Sequence, residues 1–487
     1  MKKYILVIDQ GTTSSRVLLV NKKAEIVYKD YIELELIKEA DGKILQDANE
    51  ILKSVKILIE RVFRNYKTNP EEIDSIAISN QRETTVVWNK YTKEVVGSAI
   101  SWQSNHTKEI TDEWIKKGLN NKVFNKTGLL INPYFSASKL VDIIKKYEGN
   151  IDDLLFGTID SFLIYNLTIE NNHYTDITNA SRTMLFNIKE AKWDLELLKA
   201  FNIKENLLPK VLANDSFYGN VLINGCLVPI NGVIGDQQGA LFGHLCTLVG
   251  ETKVTYGTGS FILTNLGEEL VYSKSGLLST ISYKLEKSKI NYALEGSVFM
   301  GGEADKWMKD KLGIINNANE TEKMALNSKD LNVYVVPAFV GLGAPYWNSD
   351  IKGAILGLTS NTKKEDIIKA TLNSIAYQVT DILKVIEQES NIKITNIKVD
   401  GGASKNNYLM KYQADLINAS IIQNKESEIT GLGASFIAGL KTNFFKSIED
   451  LQKLDKIKRV FVPTNDRTQI EKSYLKWKKA VDAVSMF

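Results

Sequence analysis

Residues 4–16, YILVIDQGTTSSR, run five apolar strand-forming side chains into an aspartate, a glycine and four hydroxyls. The apolar pattern resumes at 17–20, so the hydroxyl-rich stretch reads as a turn between two antiparallel strands and not as a strand feeding a helix. A Walker loop is excluded, because the GxxxxGK[ST] spacing and its lysine are both missing. Gly11 lets the backbone approach an anion closely. Backbone N–H groups and the hydroxyls of Thr12, Thr13, Ser14 and Ser15 offer a concave set of donors. Asp9, at the strand end, suits a magnesium ion held through water. An ordinary polar hairpin satisfies the same pattern.

Working outward, strand-like runs at 4–8, 17–20 and 25–33 precede a helix capped by Asp47, whose Ile51, Val55, Leu58, Ile59, Val62 and Phe63 fall on one stripe. Strands at 73–79 and 84–88 follow, which predicts a mixed α/β sheet and not a strictly alternating one. A second round appears past the midpoint. Residues 250–266, GETKVTYGTGSFILTNL, again set a small polar turn between two strands, and a strand at 394–399 ends in Asp400, Gly401 and Gly402. Two related domains facing each other would place two such hairpins on opposite sides of one cleft. The boundary falls near 246–251, dividing the chain into 1–247 and 248–487. Amphipathic helices are expected at 365–388 and from Asp466 onward. Small residues at 431–439 favour close helix packing, with Gly433 and Gly439 serving that and not catalysis.

A chain of 487 residues exceeds one compact core, and its 44% hydrophobic and 24% charged composition is that of an ordinary globular protein. A net charge of +3, with mixed signs along the chain, gives no electrostatic case for a nucleic-acid partner. Only seven of the 61 basic residues are arginine, which draws attention to Arg16, Arg82 and Arg182. Cys226 and Cys246 are too few for a disulfide framework and have no histidine at metal-ligand spacing. The five apolar residues before Asp9 are too short for a signal peptide and no run would span a bilayer, so a cytoplasmic location is expected.

Residues 233–245, VIGDQQGALFGHL, put Asp236 where a strand gives way to a helix. It suits either a helix N-cap or a general base for a substrate hydroxyl. Residues 80–84, NQRET, set Arg82 beside Glu83. On a regular strand these point to opposite faces, so both touch one ligand only if the backbone is irregular there. Either they form a surface ion pair, or they match the mixed donors and acceptors of a polyol. Trp102, Tyr134 and Phe261 fit equally as core or as walls for a small ligand's carbons. The glycine pair of GGASKNN, 401–407, opens a helix in a manner that admits a nucleotide.

Taken together, DQGTTSSR, NQRETT, YFSASK, TNASRTMLFN, GDQQGALFG, YGTGSF, ALEGSVFM, VVPAFVGLGAPYW and VDGGASKNN resemble the FGGY carbohydrate kinase family, in its glycerol-phosphorylating branch, over nearly the whole chain. The resemblance implies two ribonuclease-H-like domains of the actin and hexokinase type across a central cleft. It also implies transfer of the γ-phosphoryl of MgATP to glycerol, with Asp236 as base, and a homo-oligomer, dimeric or tetrameric. Carried over by position, Arg82, Glu83, Tyr134 and Asp236 correspond to the family's glycerol contacts, with Trp102, Gln237 and Phe261 beside them. Thr12, Thr13, Ser14 and Arg16 correspond to the first phosphate loop and Thr258 to the second. Gly302, Gly402 and Asn406 correspond to the nucleotide site, and Asp9 to the magnesium-side carboxylate.

The chain departs from the family pattern in places. Lys306 stands where many relatives have Gln, and Lys43 and Asp142 each replace a usual Trp. NDSFYG, 214–219, lacks a histidine that some bacterial relatives phosphorylate, and 223–229 lacks the Arg of a sugar-bisphosphate effector site. Allosteric control by either route is not expected. The rivals are a kinase of the same family for a pentulose or tetritol, an actin- or chaperone-like ATPase without a small acceptor, and a silent sensor.

Overall fold

The computed structural model describes residues 1–329, 332–339, 341–348, 350–455, 457–464 and 466–487; Val340, within VVPAFVGLGAPYW, lies outside the described residues. The first sheet contains β1 (Tyr4–Gln10), β2 (Ser14–Asn21), β3 (Ile26–Glu33), β4 (Ile73–Asn80), β5 (Gly219–Ile223) and β6 (Cys226–Gly235). Their spatial order is β5-β6-β4-β1-β2-β3. The second contains β7 (Thr252–Tyr256), β8 (Ser260–Gly267), β9 (Leu278–Tyr283), β10 (Asn291–Val298), β11 (Asn396–Asp400), β12 (Ser420–Asn424) and β13 (Ile457–Phe461), ordered β9-β10-β8-β7-β11-β12-β13.

The two sheets share a plan. In each, an antiparallel hairpin (β1 with β2, β7 with β8) continues into parallel strands (β1-β4-β6 and β7-β11-β12) and ends in an antiparallel edge strand. This is the two-domain, ribonuclease-H-like α/β arrangement, with mixed sheets as the order of strand-like runs predicts.

β1 is apolar from Ile5 to Ile8 because both of its faces are covered. Leu6 and Ile8 pack with the stripe Ile51, Val55, Leu58, Ile59 and Val62 of α1 (Ala48–Tyr66). That helix begins at Asp47, whose carboxylate accepts from the N–H groups of Asn49 and Glu50. The alternate residues Ile5 and Val7 pack with Ile429, Ala434 and Ile437, so a helix from the second half of the chain covers the far face of the first sheet.

Three more helices matter to the site: α2 (Asp236–Gly243), α3 (Lys364–Ser390) and α4 (Ile429–Thr442). α2 and α4 cross with backbones touching, since a Cβ on Gly433 would lie 1.9 Å from the Gly239 carbonyl oxygen and one on Gly243 2.1 Å from that of Ile429. α3 lays Ile375, Val379, Ile382 and Ile386 against the core strands of the second sheet. Residues between β4 and β5 form a smaller layer around Trp114, Phe135, Phe156 and Phe201, with Leu278 of the second sheet packed into the same core. Lys43 and Asp142, where the resemblance expects tryptophan, border one open cavity of 510 Å³, and Asp142 bonds His106 and Lys146 there. No helix among the described residues is long and apolar enough to cross a membrane.

Candidate active site

The turn between β1 and β2 is held by amides. Gln81 Nε2 donates to the Gly11 carbonyl at 3.3 Å, Gln46 Nε2 to that of Thr12 at 2.8 Å, and Gly11 N–H to that of Ser14 at 2.9 Å. Thr12 and Thr13 lie in the turn itself, but Ser14 and Ser15 belong to β2. Ser15 is fully buried and accepts from the Ser54 hydroxyl at 2.8 Å, so its expected place among the turn's donors is corrected. The Thr12 hydroxyl accepts from Trp102 Nε1 at 2.9 Å, and Trp102 meets Tyr134 edge-on at 5.5 Å. One of the three candidate ligand walls, Trp102, is therefore tied to the turn.

Asp9, next to last in β1, lies directly opposite Arg16, whose Nη1 is 3.9 Å from it and 3.3 Å from Glu428 at the start of α4. Burial pushes the Asp9 carboxyl up to about 7; Arg16 opposes this, and Glu428 and Asp236 add to it. Such a carboxyl suits a cation, which would offset the unfavourable burial of its charge. No three His, Cys, Asp or Glu side chains converge at ligand spacing among the described residues. A hard ion here would thus take most of its ligands from water and phosphate.

NQRET is not a surface pair. Arg82 and Glu83 are 2% and 1% exposed. Glu83 has φ of 62°, the irregularity needed to bring both side chains to one place. Arg82 Nε lies 3.8 Å from Glu83 and 3.3 Å from Asp236, while its two terminal nitrogens donate to the two carboxylate oxygens of Glu295, both at 2.8 Å. The guanidinium fork is therefore engaged by the second sheet, and only Nε faces the candidate base. Arg182 completes the cluster, with Nε donating to Glu83 at 2.6 Å and Nη2 to Glu295 at 3.2 Å. Burial pushes the Glu295 carboxyl up, but Arg182 and Arg82 outweigh it and hold it at about 2. At Glu83 burial prevails over Arg82 and Arg182, and its carboxyl is raised.

Asp236 is the first residue of α2, whose N-cap is Gly235, so the N-cap reading is corrected. Its Oδ1 accepts from Gln237 N–H at 2.7 Å and its Oδ2 from Gln237 Nε2 at 3.3 Å. The side chain is 32% exposed and so faces open space, unlike the charges behind it.

Strand register shows what opposes it. Lys253 pairs with Leu263 and Lys398, Thr255 with Phe261 and Asp400, Leu263 with Glu295, and Phe261 with Ser297. Paired residues share a face, so Lys253, Thr255, Phe261, Glu295 and Asp400 all lie on the face of the second sheet from which Glu295 reaches Arg82. Lys253 is fully buried, and its Nζ donates to Gln237 Oε1 at 2.6 Å and Thr255 Oγ1 at 3.0 Å. His244, which follows α2, bonds Asp400 at 2.7 Å through Nε2.

A cavity of 970 Å³ opens at the end of β7, lined by Tyr256, Thr258, Gly302, Lys306, Gly402 and Asn406 among others. The turn between β7 and β8 forms its floor, where Gly302 N–H donates to the Gly257 carbonyl at 2.7 Å. A second cavity of 750 Å³, lined by Thr13, Ser14, Arg16 and Glu428, shares Gly402 and Lys405 with the first. The two candidate phosphate turns thus open onto adjoining spaces, as does Lys306, whose side chain is 66% exposed. The Asn406 amide is already engaged, since it caps the helix Asn407–Ile417 and donates to Thr321 at 3.0 Å.

Sequence reasoning assigned no role to Glu295, Arg182, Lys253 or Lys139. Lys139 is fully buried and donates from Nζ to the Tyr134 carbonyl at 2.5 Å. The available signal was a charge set within an apolar pattern: Glu in YALEGSV, Lys in TKVTY and an arginine in a lysine-rich chain.

Models of the FGGY family of carbohydrate kinases match the chain at 4–243 for the N-terminal domain and 252–441 for the C-terminal domain. The glycerol kinase of Staphylococcus epidermidis is 46% identical over 496 residues, an alignment that covers 100% of this chain and 99% of that protein. The crystal structure of Plasmodium falciparum glycerol kinase with ADP superposes with a TM-score of 0.94 at 35% identity, covering 99% of this chain and 98% of that one. Xylulose kinase from Lactobacillus acidophilus reaches 0.89 at 21% identity over 99% and 98%, a likeness of fold alone.

Proposed function

The chain belongs to the FGGY family of carbohydrate kinases, and from that premise we infer that it transfers the γ-phosphoryl of ATP to a terminal hydroxyl of glycerol, giving sn-glycerol 3-phosphate and ADP. The similarity to glycerol kinases along the full length supports the choice of acceptor. The observation that carries the chemistry is the part-exposed Asp236 carboxylate, 3.3 Å from Arg82 Nε and backed by buried charge, on the open side of the interdomain cleft.

Glycerol binds with its hydroxyls among Arg82 Nε, Glu83, Asp236 and Gln237, and its carbons against Trp102, Tyr134 and Phe261. The hydroxyl oxygen attacks the γ-phosphorus as the bond to the β,γ-bridging oxygen breaks. The hydroxyl proton passes to Asp236, and ADP leaves with the electron pair. Backbone N–H groups and hydroxyls at 11–14 and 257–259 align and stabilise the transferring group, which is most of what such a transfer asks of a protein. The nucleotide occupies the cavity around Gly302, Gly402 and Asn406, with Arg16 beside its phosphates. Asp9 would hold magnesium, which when bound would neutralise phosphate charge. The split at 247 and self-association as a dimer or tetramer belong to the same proposal.

Release of ADP with glycerol, measured against a panel of tetritols and pentuloses, tests this reading. Faster turnover of a ketose would move the acceptor elsewhere in the family. Hydrolysis of ATP indifferent to every polyol would replace the kinase reading with an ATPase.

A further inference from the structure

The side chain with the least obvious reason to be where it is belongs to Lys253. It occupies the second position of β7, fully buried, where an apolar residue would cost nothing to bury. Its ammonium has three hydrogens and no lone pair, so whatever it meets must accept.

We propose that Lys253 is a positioning residue for the phosphoryl transfer: it fixes the amide of Gln237, and through that amide the carboxylate of Asp236. The inference rests on the reading of Asp236 as the base. A glutamine amide can face either way, but with Nζ 2.6 Å away the oxygen Oε1 has to point at Lys253. That leaves Nε2 on the other side, donating to Asp236 Oδ2 at 3.3 Å. Oδ1 is held independently by Gln237 N–H at 2.7 Å and lies 3.3 Å from Arg82 Nε. Both oxygens of the base are thereby oriented, one from the first half of the chain and one through a lysine of the second.

This has a consequence for the cleft. Lys253 lies on the second sheet and Gln237 on α2 at the end of the first, so the lock exists only with the two halves together. Opening the cleft frees the amide to turn, and the base loses a donor on Oδ2. Thr255, which also accepts from Lys253 at 3.0 Å, pairs in register with Asp400, next to Gly401 and Gly402 of the nucleotide wall. Lys253 therefore stands between the acceptor and nucleotide sides.

The test is steady-state kinetics on the full chain carrying K253M, which matches the length of lysine without its donors, together with Q237L, the double variant, D236N and D236N/K253M. K253M should lower kcat roughly 10- to 100-fold, as expected for a displaced reactive group. KM for ATP should stay within about threefold, since Lys253 lines neither nucleotide-side cavity, and KM for glycerol should rise no more than in Q237L, because Lys253 reaches the acceptor only through Gln237. Q237L should lose a similar factor in kcat, the double variant no more than either alone, and K253M no activity beyond that already lost in D236N. Parental kcat in K253M, or losses that multiply in the double variant, would overturn the proposal while leaving the base assignment intact. Parental activity in D236N would overturn both. Should K253M fail to fold, Q237E decides: it keeps an acceptor for Lys253 but removes the N–H toward Asp236. Loss of kcat supports the lock, and full kcat rejects it.

Discussion

Arg82 and Glu295 are 213 residues apart in the chain and joined by two parallel hydrogen bonds of 2.8 Å, with both side chains almost wholly buried. One comes from the end of the first sheet's β4 and the other from β10 of the second. The pair therefore joins the two halves of the chain next to the proposed base Asp236. Bidentate geometry of this kind fixes orientation as much as it supplies energy.

Glu295→Gln should accordingly cost more than a surface pair would. It leaves Arg82 and Arg182 with Glu83 and the part-exposed Asp236 to balance them, and removing one partner from a buried ionic cluster typically costs about 3–5 kcal/mol. Urea unfolding should show the loss, and the KM for glycerol should rise as Arg82 is released. Unchanged stability would mean that the two halves do not depend on this contact. Arg82→Ala should show both effects too, because the fork engages Glu295 and Nε faces Asp236.

Asp236→Asn tests the base with little structural cost, since its side chain is 32% exposed and an amide keeps an oxygen for the Gln237 N–H. The amide preserves shape and removes proton acceptance, so kcat should fall by at least about two orders of magnitude. Thermal unfolding should be close to that of the parent. A kcat near the parental value would remove Asp236 from the proton path.

How far these features could be read in advance depended on their range along the chain. The hairpin at 4–20 and the cap at Asp47 are local, and periodicity with turn chemistry exposed them. The adjacent opposite charges of Arg82 and Glu83 give irregular backbone only as a condition for sharing one ligand, with a surface ion pair equally open, and φ of 62° at Glu83 decides between them. Ser15 reads as a turn residue, but β2 begins at Ser14, three residues before the apolar run, and that extension moves its hydroxyl from the turn into the core. Glu295 and Lys253 went unassigned for a different reason. A lone charge in a strand normally marks the wet face, and only the register of four strands places both against the other domain. The small residues at 431–439 announced close packing but not the partner, since α2 lies nearly two hundred residues earlier.

The two kinds of glycine in the molecule should respond oppositely to an added methyl. In Gly433→Ala the new Cβ would meet the Gly239 backbone oxygen at 1.9 Å, which no side-chain motion relieves, so α2 and α4 must separate at a cost of about 1–3 kcal/mol or more. In Gly402→Ala nothing lies within 4 Å, and φ of −61° suits alanine. Stability should be unchanged there, while the methyl intrudes on both adjoining cavities and raises the KM for ATP. Equal unfolding midpoints for the two variants would contradict the helix contact.

Lys139 offers a test by pH. Burial pushes its ammonium down to about 7, against a small opposing pull from Glu83. In the unfolded chain the group titrates near its ordinary value of 10.5. Between those two values the unfolded state holds a proton that the folded state has released, so stability from this group rises with pH. Its contribution is fullest above the unfolded value, declines as pH falls toward about 7, and is flat below that. Lys139→Met removes the titration and leaves the Tyr134 carbonyl without its donor. The unfolding free energy of the parent minus that of the variant should therefore climb as pH is raised from 7 toward 10. A difference independent of pH across this window would show that Lys139 keeps its proton in the folded protein, held by the Tyr134 carbonyl and Glu83 more firmly than burial disfavours it.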